Sequence, residues 1–292
     1  MIKKGFSHIG IFFLYFLSLF PLPLLYVLAD LMYYLVYYVV GYRKQVVHEN
    51  LQYAFPEKGP KEIRSIERKY FRHLCSLMVE IVKMSTVSKS ELLKRYTFKN
   101  LDRIQEYLKK GESLLGCSGH YGNWEWGMVA LGLHLDTDKY VIYKPINNTV
   151  FSNWFLNLRS RFGNKLVAMR QTLRMVAGTR NQSTIFFFAN DQTPTREETQ
   201  YWLNFLNQST PVLLGIEKIA LQTNRPVFYL KTTVLKRGYY EVDCVPICLD
   251  PSKTTNHEIT DRHFKVLEEM IIKAPQYWLW SHRRWKFKPV NA

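Results

Sequence analysis

His120 and Glu125, in the run HYGNWEW, are the residues whose types and spacing best suit proton transfer. They follow the apolar, strand-like stretch Ser113-Leu-Leu-Gly-Cys117. If His120 ends a strand and Glu125 lies in the first turn of the next helix, the chain reverses between them and the carboxylate reaches the imidazole. An imidazole held by a carboxylate removes a proton from a hydroxyl near neutral pH, the acid fixing the tautomer and stabilising the imidazolium. Such a base activates an alcohol directly, with no serine or cysteine nucleophile. Gly119 and Gly122 flank the histidine and permit a sharp backbone. Taken alone, the H-x4-E spacing equally fits a histidine satisfied in a turn and a glutamate supplying charge to a helix N-terminus.

The elements that must position this pair alternate as in an α/β fold. A helix over Lys61 to Lys83 carries Ile63, Ile66, Tyr70, Leu74, Leu77 and Ile81 on one stripe, opposite a basic face of Lys61, Arg64, Arg68 and Arg72. There follow a helix near Leu101 to Lys110, strands at Ser113 to Ser118 and Tyr140 to Tyr143, and a helix across Phe151 to Phe162. Next come a strand at Lys165 to Met169, a helix at Thr172 to Thr179 and the buried-type strand Thr184 to Ala189. Pro211 to Gln222 reads as a helix, Pro226 to Lys236 and Tyr239 to Leu249 as a hairpin across Arg237-Gly238, and Glu258 to Lys273 as a last amphipathic helix. His120 and Asp191 both come directly after apolar strands, where open α/β sheets place their ligands.

From Phe6 to Val40 the chain is almost wholly apolar and aromatic, interrupted by Pro21, Pro23 and Asp30, with Lys3 and Lys4 before it and Arg43 and Lys44 after it. About 20 apolar residues cross a bilayer, so this segment allows one long tilted helix, a span plus an interfacial helix, or a re-entrant hairpin broken at Pro21 to Pro23. No small-residue cleavage site follows it, which favours a retained anchor over a removed signal peptide. The expected division is therefore an anchor over 1–44 and a catalytic domain over 45–292. Lys and Arg number 40 against 24 Asp and Glu, a formal charge of +16 in 292 residues. That excess suits an anionic membrane surface, a phosphorylated lipid or an acidic carrier protein. Nucleic acid is disfavoured, since no helix-turn-helix, zinc-finger or RNA-binding signature is present. Cys75, Cys117, Cys244 and Cys248 lack any disulfide-framework spacing and read as reduced structural thiols. No metal is implied, because His120 and Glu125 lack a second histidine at ligand spacing.

Several further strings belong to one pattern: Tyr143-Lys-Pro-Ile-Asn-Asn148, Arg159-Ser-Arg161, Phe188-Ala-Asn-Asp191-Gln192 and Trp278-Leu-Trp-Ser-His282-Arg283-Arg284-Trp285. In order and spacing, with H-x4-E, the chain resembles the bacterial lipid A late acyltransferases (lauroyl and myristoyl transferases). These are a branch of the glycerolipid acyltransferase superfamily, and the resemblance runs over nearly the full length. It implies a mixed, mostly parallel central sheet flanked by helices. It also implies transfer of a fatty acyl chain from an acyl thioester, on acyl carrier protein or coenzyme A, to a hydroxyl of a lipid A precursor or related glycolipid, without acyl-enzyme or cofactor. The enzyme would sit on the inner membrane facing the cytoplasm.

By the same resemblance Arg161 and Asp191 match the family's other functional arginine and aspartate. Arg161 is then expected to donate to the oxyanion or grip a phosphate, and Asp191 to position it or the acceptor. Arg159, Arg283 and Arg284, the last two among Trp278, Trp280 and Trp285, are candidate contacts to a lipid headgroup. Tyr121 and Trp124 are bulky beside a large acceptor and would narrow its site. Acylation of a glycerophospholipid or amino-lipid, or a non-catalytic membrane-tethered binding protein, remain the other readings.

Overall fold

The structure, a computed structural model, describes residues 2–289, with side chains from residue 5 onward; the flanking Lys3 and Lys4 side chains lie outside it. The chain opens with α1 (Ile2–Ser18), α2 (Leu22–Tyr34), α3 (Lys44–Ala54), α4 (Pro60–Lys83) and α5 (Lys89–Arg95). Strands and helices then alternate through β1 (Tyr96–Lys99), α6 (Leu101–Lys109), β2 (Leu114–Ser118), α7 (Trp124–Gly132) and β3 (Asp138–Tyr143). The series continues with α8 (Thr149–Ser160), β4 (Asn164–Ala168), α9 (Thr172–Gly178) and β5 (Thr184–Ala189). A small hairpin, β6 (Tyr201–Phe205) and β7 (Gln208–Val212), precedes α10 (Gly215–Thr223), β8 (Val227–Lys236), β9 (Tyr239–Cys248) and α11 (Glu258–Lys273).

The main sheet has seven strands in the order β1-β9-β8-β2-β5-β3-β4. All neighbours run parallel except β8 and β9, the hairpin across Arg237-Gly238. The mixed, mostly parallel sheet is thus the one expected. Its centre is β2 and β5, whose unbroken apolar runs suit strands covered on both faces. In α4 the predicted stripe points inward, with Ile63, Ile66, Tyr70 and Leu77 buried, while Lys61, Arg64, Arg68 and Arg72 are exposed. Pro60 opens α4 and Lys83 closes it, as the helix dipole favours.

One expectation fails at 211–222. Gln208–Val212 is a strand, and the helix begins only at Gly215. Pro211, which suggests a helix N-terminus, instead pairs with Trp202 in a short two-stranded sheet, where the missing N–H is tolerated at an edge. The hairpin turns on Leu206 and Asn207, both with positive φ; leucine in that conformation is uncommon, and no Asn-Gly signal marks it.

The apolar N-terminus is two helices, broken at Pro21, rather than one. Pro21 supplies no N–H and sits before α2, while Lys83 Nζ donates to the orphan carbonyls of Ser18 (2.8 Å) and Phe20 (3.0 Å) at the end of α1. From Leu22 through a π-helical turn to Val40, the second helix is long and apolar enough to cross a membrane. Leu22, Leu25, Ala29 and Tyr33 pack into the core against α4, and Leu24, Val27, Leu31, Tyr34 and Tyr38 face outward with Phe12, Phe13 and Phe16 of α1. Asp30, the charge within this segment, is held bidentately by Arg237 at the β8–β9 turn (3.0 and 2.9 Å). All four cysteines are free and buried.

Candidate active site

Strand register alone brings the key pair together. Ser118 of β2 lies opposite Ala189 of β5, and two residues beyond each strand come His120 and Asp191, leaving neighbouring strands at the same level. His120 Nδ1 is 2.5 Å from Asp191 Oδ1, and the His120 backbone N–H donates to Asp191 Oδ2 at 2.8 Å. Trp278 Nε1 donates to the same Oδ2 at 2.7 Å. With both carboxylate oxygens accepting, Nδ1 carries the proton and Nε2 presents its lone pair. The Gln192 side-chain nitrogen sits 3.2 Å from that Nε2, and Trp124 packs edge-on against the ring.

The expected His120–Glu125 bond is therefore replaced. Glu125 does lie in the first turn of α7, yet its carboxylate is gripped by Arg159 of α8, with Nε to Oε2 at 2.8 Å and Nη2 to Oε1 at 2.6 Å. Trp124 Nε1 adds a bond to Oε1 at 3.1 Å. A guanidinium fork satisfies both carboxylate oxygens at once, which an imidazole cannot. The pair is largely buried, at 22 % side-chain exposure for Arg159 and 6 % for Glu125. Arg159 is thus an element of the site rather than a surface contact.

Arg161 is not brought to this cluster. Its Nη1 donates to the carbonyls of Met84 and Val87, both at 2.7 Å, tying the end of α8 to the turn after α4. The C-terminal run also departs from expectation. Trp278, Trp280 and Trp285 are buried, and Arg284 is fully enclosed with Nη2 on the Pro211 carbonyl at 2.8 Å. Arg283 alone of the pair is exposed. The run is a packed strap: Leu279 N–H donates to the His120 carbonyl at 3.1 Å, and Thr193 N–H donates to His282 Nε2 at 3.0 Å. Tyr121 turns away from the site and donates to the Ala274 carbonyl at 3.0 Å, so of the two bulky residues only Trp124 flanks His120.

Gly119 has to be glycine for closeness: a Cβ there would lie 2.7 Å from Leu267 Cδ1 and 3.2 Å from Asp191 Oδ2. Gly122, at φ +61°, needs the left-handed freedom. Asn123 then caps α7, its Oδ1 accepting from the Trp126 N–H at 2.9 Å while its Nδ2 donates to the buried Glu80 at 2.6 Å. The turn is fixed from both ends before any substrate binds.

Electrostatics suit a base. Burial pushes the His120 pKa down, but the charge and hydrogen bond of Asp191, with Glu125 behind it, outweigh burial and the net shift is upward. Burial likewise pushes Asp191 up, and the imidazolium, Trp278 and the His120 N–H carry it well below the usual carboxylate range. Burial drives the nearby Cys117 thiol up, which removes it as a thiolate nucleophile. Because only neutral His120 accepts a proton, the acidic limb of log kcat/KM against pH is expected above the ordinary imidazole value of about 6.5. A limb at or below that value, measured by acyl transfer over a pH series, would refute this pairing.

Comparison with known proteins fits this geometry. The chain matches the model of the family described as bacterial lipid A biosynthesis acyltransferase over residues 1–287. It is similar to the lipid A biosynthesis lauroyltransferase of Escherichia coli K12, 22% identical over 292 residues that cover 98% of this chain and 93% of that one. The lipid A biosynthesis palmitoleoyltransferase of the same organism is 23% identical over 251 residues, 85% of this chain and 80% of the other. A lipid A biosynthesis acyltransferase of Haemophilus influenzae is 23% identical over 282 residues, 93% and 85%. The chain belongs to the bacterial lipid A biosynthesis acyltransferase family.

Proposed function

We propose that this acyltransferase moves a fatty acyl chain from a thioester on acyl carrier protein to a hydroxyl of a lipid A precursor, at the cytoplasmic face of the inner membrane. The observation that carries the reading is the His120–Asp191 pair, whose Nε2 lone pair points at Gln192 beside the carboxyl ends of β2 and β5. An acceptor hydroxyl in place of the Gln192 amide gives its proton to Nε2 as its oxygen bonds the thioester carbon. Collapse of the tetrahedral intermediate breaks the carbon–sulfur bond, and the imidazolium protonates the departing thiolate. Ester and thiol result, with His120 restored and no acyl-enzyme.

Arg159 rather than Arg161 is the cation for the developing oxyanion. Its charge is felt at His120, and Glu125 aims it by holding two of its three nitrogens. Membrane attachment rests on the outward apolar face of α1 and α2. α1 packs beside α8, where Asn148 donates to Ser7 at 3.1 Å, so a bilayer meeting α1 lies next to the helix carrying Arg159. The charge of +16 complements an acidic carrier protein and a phosphorylated lipid.

The test is acyl transfer by membranes containing the protein, with labelled carrier-protein and coenzyme A thioesters, offered a Kdo-bearing lipid A precursor and, in parallel, lysophospholipids and amino-lipids. Product on the glycolipid is expected, falling by about a thousandfold in His120→Ala. Product on another lipid alone would move the acceptor, and an isolable acyl-protein or an active His120→Ala would end the direct-attack mechanism.

A further inference from the structure

A cavity of about 710 Å³ opens between α2, α4 and the turn of the β8–β9 hairpin. His120, Asp191, Glu125 and Arg159 do not line it. Its acids are already engaged: Asp30 is clamped by Arg237, and Glu80 accepts from Tyr26 (2.9 Å), Asn123 (2.6 Å) and Tyr240 (2.6 Å). Its remaining cations are not. The side chains of Lys69 and Arg72, on the exposed face of α4, make no ion pair or hydrogen bond among the described residues, and the Arg72 guanidinium only rests over the Tyr33 ring at 5.0 Å. Two unneutralised cations thus face a space of ligand size, walled on one side by the helix whose outward residues Leu31, Tyr34 and Tyr38 are apolar.

We propose that this cavity holds the phosphate of an anionic bilayer glycerophospholipid, bound by Lys69 and Arg72, with its acyl chains lying along Leu31 and Tyr34 of α2 and Tyr38 of the π-helical turn that follows it. The proposal rests on the reading that α1 and α2 contact a membrane. A phosphate takes an ammonium and a guanidinium together, and the boundary between an apolar helix face and a basic helix face is the level of lipid headgroups. The lining also touches the catalytic turn: His73 donates from Nε2 to the Gly122 carbonyl at 3.2 Å and packs on Tyr277, whose carbonyl accepts the Gly122 N–H at 2.9 Å. A bound lipid therefore lies against His73 and Tyr277, the residues that hold Gly122 two positions past His120.

The test is titration of the full chain in neutral detergent with phosphatidylglycerol, phosphatidylcholine or inorganic phosphate, read by native mass spectrometry. Lys69→Gln with Arg72→Gln is compared with Lys109→Gln with Lys110→Gln, which removes equal charge at the C-terminal end of α6, outside the cavity lining. Thermal melting confirms that both variants fold. Phosphatidylglycerol is expected to bind the wild type and the α6 variant alike and the Lys69/Arg72 variant about 25-fold more weakly, roughly fivefold for each cation near an anionic headgroup. Equal weakening in both variants, or none in the Lys69/Arg72 variant, would overturn the site, as would displacement of the lipid by inorganic phosphate, which marks a free-ion site. Failure of the membrane reading looks different: the wild type then takes up neither phospholipid.

Discussion

Asp191→Asn is expected to lower kcat/KM by about 10³–10⁴-fold while leaving the fold and substrate KM nearly intact, because the carboxamide keeps the shape but not the charge or the tautomer control. Asparagine has one carbonyl oxygen, which belongs at the Oδ2 position to accept from both the His120 N–H and Trp278 Nε1–H, so its NH₂ takes the Oδ1 position and faces His120 Nδ1–H. To avoid that clash the imidazole must expose Nδ1 as acceptor and carry its proton on Nε2, the nitrogen proposed to receive the hydroxyl proton. The pH profile separates this from general damage. Loss of the Asp191 charge removes the largest upward influence on His120, so the residual acidic limb should move to lower pH even as the rate falls. A variant with near wild-type rate, or with a reduced rate and an unmoved limb, would show that Asp191 does not control the base. Glu125→Gln offers the contrast: Glu125 acts on His120 only through space, so its limb should move less.

The contrast also shows where the sequence could and could not reach. His120 and Asp191 were each legible as polar residues just past apolar strands, and β2, β5 and α11 fell where their patterns put them. Their partnership was not legible, because it depends on β2 and β5 being neighbours in register, with β3 and its flanking helices between them in sequence. Local spacing offered Glu125 instead, five residues away. What defeated that choice is Arg159, a bidentate competitor delivered by a different helix. Arg159 and Arg161 are two apart at the end of α8, and positions i and i+2 point to opposite sides, so only one could face Glu125; composition gave no means of choosing. Trp278 misleads for a related reason. An indole among arginines suits an interface, but its single N–H also suits a buried carboxylate, and here that N–H holds Asp191.

Arg159→Met should be the most destabilising single change at the site. It leaves Glu125, with 6 % side-chain exposure and a single remaining indole donor, as an uncompensated buried carboxylate. Breaking such a pair costs about 3–5 kcal/mol, which for a chain of this size lowers the melting temperature by roughly 5–15 °C. Burial alone raises the Glu125 pKa, and it is Arg159, first by charge and then by hydrogen bond, that carries it below the ordinary value. Without Arg159 the carboxyl should take up a proton on folding, so the variant's deficit should shrink as pH falls toward the raised pKa and grow above it. Adding Glu125→Leu removes the orphaned charge, and the double variant should regain most of the lost stability, since a well-packed apolar pair often matches a buried ion pair. Activity should not return with it if Arg159 meets the oxyanion, because stability and transition-state charge are then separate debts of the same guanidinium. Melting in detergent and kcat measured on one preparation decide both points: an unchanged melting temperature in Arg159→Met would mean the pair is open to solvent, and recovery of kcat in the double variant would reduce Arg159 to a scaffold for α7 and α8.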